Sequence, residues 1–166
     1  ANASRRDWTI EEHMLAFNLY CKIPFGTIHL RNPKLIELAR LLGRSPGAVS
    51  YKLANFARLD PELSARGIGG LSHGARGEIE VWDRFYKDPE ALAFESERLL
   101  AELAGKSIEE AAGIESADLP RRGLECARLV RTRVGQNFFR AMVLAAHDHR
   151  CCITGIDRPE LLVASH

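Results

Sequence analysis

Apolar residues recur at helical spacing along most of this chain. Thr9-Ile-Glu-Glu12 is a capping box, in which a hydroxyl and a carboxylate satisfy free backbone donors reciprocally. It predicts a helix from about residue 10 to Cys21, ended by Pro24 and Gly26. Asn32-Pro33 repeats the start signal, Leu35, Leu38, Ala39 and Leu42 share one face, and Gly43 supplies a left-handed stop. Ser45-Pro46 starts a third helix with the stripe Val49, Leu53, Phe56 and Ala57, and Asp60-Pro61 opens a short fourth, closed near Gly67.

The stretch GIGGLSHGARG reads as a loop. Ile79–Tyr86 reads as helix, with Ile79, Trp82 and Phe85 or Tyr86 facing a core, and Asp88-Pro89 caps a long helix running to about Ala104. Periodicity is lost over 105–123, which holds three glycines, Pro120 and an acidic cluster and is expected to be a linker with at most one helical turn. A last helix is expected over about Glu125–His149, with Gly135 a candidate point of interruption and Phe138, Phe139, Met142, Val143 and Ala146 on its apolar face. The pattern then switches to two short runs of strand type, Cys151–Thr154 and Leu161–Ser165, joined by Gly155–Glu160 as a hairpin. The expected fold class is mainly α: a helical domain over 1–104 with a trihelical unit at 8–58, a linker, then a helix and a β-hairpin over 124–166.

Composition changes this picture little. The 166 residues are 46% hydrophobic and 27% charged, as in a globular protein with a core, and no eighteen-residue apolar run is present to span a membrane. Four cysteines, two of them adjacent (Cys151, Cys152), suit reduced thiols and a cytoplasmic location better than a disulfide framework. Charge does change it. Net charge is +1, yet residues 121–150 hold seven arginines against Glu125 and Asp148. Such a concentration suits a phosphate-bearing partner; a solvated helix face is the alternative.

The 8–58 unit has the outline of a helix-turn-helix. Trp8-Thr-Ile-Glu-Glu12 and Leu42-Gly43-Arg44-Ser45 resemble the opening and the third-helix turn of Myb/SANT-type units, although the middle is longer and lacks their second-helix tryptophan. The resemblance implies a DNA-reading third helix. With its apolar stripe inward, Ser50, Tyr51, Lys52 and Asn55 are expected to face outward toward bases and phosphates, with Arg44 pairing to phosphate. A non-catalytic DNA-binding regulator and a protein-interaction module are the rival readings of this half.

The stretch RVGQNFFRAMVLAAHDHRCCITGIDRPELLVASH resembles the entry to HNH endonuclease domains of bacterial restriction-type enzymes. The shared features are Gln136-Asn-Phe-Phe-Arg140, Val143-Leu144, Arg150-Cys-Cys-Ile-Thr-Gly155, Pro159-Glu-Leu-Leu162 and Ala164-Ser-His166. The resemblance implies a ββα-metal fold, an endonuclease active on double-stranded DNA, and a divalent metal, Mg²⁺ in the first instance, whose ligands lie largely outside this chain. His166 falls on the general-base position, where a neutral imidazole of ordinary pKa about 6.5 can take a proton from water. Ser165 stands where many relatives carry a metal ligand, as in an ASH subtype, so the metal ligands are unassigned. With the sequence ending at His166, this stretch by itself is expected not to cleave. Arg131, Arg133 and Arg140 are the expected phosphate contacts of the last helix, no membrane contact is expected, and a homodimer is an allowed arrangement. Thr154 stands where a Cys-x-x-Cys zinc knuckle begun at Cys151 would place its second cysteine, so a structural zinc is not expected.

Overall fold

The computed structural model describes residues 6–120 and 123–164. Among them are eight α-helices: α1 (Ile10–Lys22), α2 (Pro33–Leu42), α3 (Pro46–Ala57), α4 (Pro61–Ala65), α5 (Arg76–Phe85), α6 (Pro89–Leu103), α7 (Ile108–Ala111) and α8 (Gly123–Ala146). The architecture is mainly α, and no described residue lies in a strand. No described helix is long and apolar enough to cross a membrane.

Local chemistry sets the helix starts. Thr9 Oγ1 accepts from the Glu12 amide at 3.2 Å while Glu12 Oε2 accepts from the Thr9 amide at 3.0 Å. Asn32 Oδ1 accepts from the Lys34 amide at 3.0 Å, Ser45 Oγ from Ala48 at 3.2 Å, and Asp60 Oδ1 from Glu62 at 2.9 Å. Each satisfies an N–H that has no intrahelical partner. Gly43, at φ 61°, ends α2 in the left-handed region that a glycine enters without steric cost.

The chain divides into two compact units, 1–88 and 89–166, whereas the sequence pattern places the break at 105–123. In the first unit α1 packs against α2, α3 and α5. Every residue from Glu12 to Leu19 is buried, which makes α1 the central helix. Phe17 meets Phe56 at 4.9 Å and Trp82 at 5.2 Å between ring centroids, joining α1, α3 and α5. Each such side chain contributes about 1.5–3 kcal/mol through burial. Ile79, a core candidate by spacing, is exposed; Val81 takes the inward position.

In the second unit α6 packs on α8. Buried Leu92, Ala93, Ser96 and Ala101 belong to α6, and buried Val130, Val134, Phe138, Leu144 and Ala145 to α8. Inside the expected linker, Ser107 and Glu110 close a capping box on α7, and Asn137 Nδ2 of α8 donates to the Ala112 carbonyl at 3.2 Å. The helix α8 runs through Gly135 without interruption and stops at Ala146, where Asp148 and His149 adopt positive φ.

The expected β-hairpin is corrected. Over 151–164 the backbone closes on itself locally: the Cys151 amide donates to Ile156 O at 2.8 Å and the Gly155 amide to Cys151 O at 2.9 Å. Pro159–Leu161 is a 3₁₀ turn. These turn bonds occupy donors that a ladder needs, and an isolated two-stranded hairpin gains little stability of its own. Ser165 and His166 lie outside the described residues.

Candidate nucleic-acid interface

Three of the residues expected to face DNA, two on α3 and one just before it, are buried instead. Lys52 and Asn55 point inward and are buried. Both donate to one carboxylate oxygen of Glu78 on α5, Lys52 through Nζ and Asn55 through Nδ2 at 2.9 Å. Arg58 Nη2 lies 3.5 Å from the other oxygen, which also accepts from the Ala75 amide at 3.0 Å and so helps start α5. Glu78 is fully buried, and a buried carboxylate persists as a charge only with such partners. The register carries this signal. Lys52 belongs to the spacing Val49, Lys52, Leu53, Phe56, and Glu78 to the spacing Glu78, Val81, Trp82, Phe85. A stripe drawn from apolar residues alone omits both charges.

Arg44 is the third correction. Its Nε and Nη2 grip Glu12 at 3.1 and 2.7 Å, Nη1 and Nη2 donate to the Arg6 and Asp7 carbonyls, and its guanidinium lies 4.3 Å from the Trp8 ring centroid. Burial pushes the Glu12 carboxyl up, but hydrogen bonds from Arg44 and the Thr9 amide, with the charges of Arg44 and Arg6, outweigh it and hold the group below its ordinary 4.5. Thus Arg44 clasps the chain entering α1 and its donors are occupied.

Two of the expected third-helix residues remain accessible: Ser50 is half-buried and Tyr51 is 53% exposed. Leu30 lies 3.9 Å from the position a side chain on Gly47 would take, which brings the turn before α2 beside the start of α3. Arg31 on that turn and Lys34 in the first turn of α2 are exposed. They are cations that the motif-based reading passed over, because they precede the helix whose face it followed.

On α8, Arg133, Gln136 and Arg140 fall on one side at about 100° per residue; all three are exposed, as is His147 just past the helix end. Arg128 and Arg131 lie on another side; the Arg131 guanidinium sits 4.2 Å from the Phe94 ring centroid. Neither Arg128 nor Arg133 pairs with a described carboxylate. Arg140 is engaged elsewhere: its Nη2 donates to the Pro159 carbonyl at 2.6 Å and to the Leu162 carbonyl at 3.3 Å.

The residues described around the C-terminal segment do not assemble a metal site; no group of three or more described His, Cys, Asp or Glu is placed to hold an ion. Among them, Cys151 is chemically distinctive. Hydrogen bonding from Thr154, then from the Ile153 and Gly155 backbone, outweighs a small desolvation and draws its thiol down to about 7. Cys21 is the opposite case, pushed up to about 12 by burial and by Asp60.

No family model, no curated protein and no solved structure matches the chain.

Proposed function

We propose that this chain belongs to a DNA endonuclease of HNH type, serving restriction or defence, in which His166 acts as general base and α8 faces the nucleic acid. The observation that carries the DNA half is the exposed side of α8, where the guanidinium of Arg133 has no described carboxylate partner and Gln136 shares its face. A cation free of intramolecular pairing releases counterions from DNA when it meets phosphate, and that release supplies most sequence-independent affinity. The nuclease half rests on the thirty-four-residue resemblance ending at His166. What the chain itself would contribute is a neutral imidazole taking a proton from the attacking water.

In the first unit, the burial of Lys52, Asn55 and Arg44 removes most of the third-helix reading surface. The edge left for a partner is Ser50, Tyr51, Arg31 and Lys34. That composition suits phosphate contact and positioning more than base readout.

The test is plasmid cleavage by the natural full-length protein with Mg²⁺ or Mn²⁺, beside its His166→Ala variant. Cleavage by the parent and a loss of at least about a hundredfold in the variant is expected for a general base. Equal cutting by both removes His166 from the reaction. A parent that cuts neither methylated nor unmodified plasmid, while still binding duplex, leaves the non-catalytic DNA-binding reading in its place.

A further inference from the structure

Residues 151–164 leave Ile153, Leu161 and Val163 at 90%, 68% and 89% exposure, so burial of apolar area does little to hold this segment in place. Polar anchoring does more. Arg140 reaches from the last third of α8, and one nitrogen, Nη2, meets the carbonyls of Pro159 and Leu162. These carbonyls bracket the 3₁₀ turn Pro159–Leu161, which is itself closed by the Leu162 amide donating to Pro159 O at 3.2 Å. A charge-assisted donor bridging both ends of a turn stabilises the turn and fixes it to the helix that carries the donor.

We propose that Arg140 is a positioning residue that clamps the turn at 159–162 onto α8 and so directs the chain leading to His166, rather than a phosphate contact. Only the consequence for cleavage rests on the nuclease reading; the clamp does not. The geometry also explains why Arg140 stands apart from Arg133, seven residues earlier on the same side of α8. Both are exposed at equivalent positions of the helix, but the turn lies within reach of Arg140 and engages its donor.

Amide hydrogen exchange and duplex binding across a salt series, measured on the parent and on Arg140→Ala and Arg140→Lys, test this. Loss of the clamp should make the Leu161 and Leu162 amides exchange about tenfold faster in Arg140→Ala, the effect of roughly one to two net hydrogen bonds. Arg140→Lys should stay near the parent, because a single nitrogen serves both carbonyls. Duplex affinity and its salt slope should change far less than on loss of Arg133, and where cleavage is measurable kcat should fall with KM retained. Unchanged exchange in Arg140→Ala overturns the proposal. So does a salt slope reduced by about 0.9, the signature of one lost phosphate contact. If exchange responds as expected but the parent never cuts DNA, the clamp stands and the nuclease reading falls.

Discussion

Lys52 on α3 places its ammonium against the carboxylate of Glu78, twenty-six residues further along the chain, and both side chains are buried. The pair ties α5 to the trihelical unit and takes Lys52 out of any DNA-reading surface. Removing one partner leaves the other charge buried and uncompensated. Glu78→Ala should therefore lower stability by about 3–5 kcal/mol, read from urea denaturation. The double variant Lys52→Met with Glu78→Leu should cost much less than Glu78→Ala alone, because no charge is stranded. A loss under about 1 kcal/mol for Glu78→Ala contradicts the buried pairing.

His13 makes the first unit sensitive to acid. The ring is 2% exposed, and its Nδ1 has no hydrogen-bond partner among the described residues. Burial lowers its pKa from 6.5 to about 4; Lys52 and Arg44 add to the shift, and Glu78 and Glu12 oppose it. The native state thus holds the neutral ring while the unfolded chain takes up a proton below about 6.5. This contribution is complete above that pH and is lost as pH falls toward 4, amounting to about 3 kcal/mol over the window. Denaturation midpoints from pH 7.5 to 4 should fall in the parent and flatten in His13→Gln. Glu12, whose carboxyl is held below 4.5, adds its own loss only at lower pH, so the two windows are separable.

Close packing around the glycine-rich loop predicts an order of substitution effects. A Cβ on Gly77 would lie 2.5 Å from His13 Cδ2, and one on Gly70 would run into the Arg58 backbone. Backbone yields less than a ring edge, so Gly70→Ala should cost more than Gly77→Ala, with both in the range of about 1–3 kcal/mol or above. Gly26→Ala, with nothing within 4 Å, should be close to neutral. Thermal midpoints of the three variants check the ranking; an equal effect at all three contradicts it.

Thiol reactivity should separate the cysteines. At pH 7.5 Cys151, drawn down to about 7, carries far more thiolate than Cys21, which is half-buried and pushed up to about 12. Brief iodoacetamide treatment followed by peptide mapping should find label on Cys151 and none on Cys21. Replacing Thr154 by Val should slow the labelling of Cys151. Faster labelling of Cys21 would contradict the described environments.

The sequence made the helix starts legible because caps are local: Thr9, Asn32, Ser45 and Asp60 each satisfy amides two or three residues away. What it hid depends on distant partners. The inward turn of Lys52 requires Glu78, and the clasp of Arg44 requires Glu12, thirty-two residues earlier. The run Cys151–Thr154 has the composition of a strand, yet strand formation needs a facing backbone, and Gly155 at φ 73° turns the chain back before one is met. The candidate site was legible in part. The arginine concentration on α8 could be counted, but which guanidinium remains free and which holds the turn at 159–162 is a property of packing.

The proposed DNA contact of α8 runs through Arg133 on its exposed side. Duplex affinity measured across a salt series for the parent, Arg133→Ala and the control Arg40→Ala tests it most directly; Arg40 pairs with Glu37 on the exposed side of α2. Weaker binding and a log–log salt slope reduced by about 0.9 are expected for Arg133→Ala, with the control unchanged. Identical slopes and affinities for the parent and Arg133→Ala would contradict it.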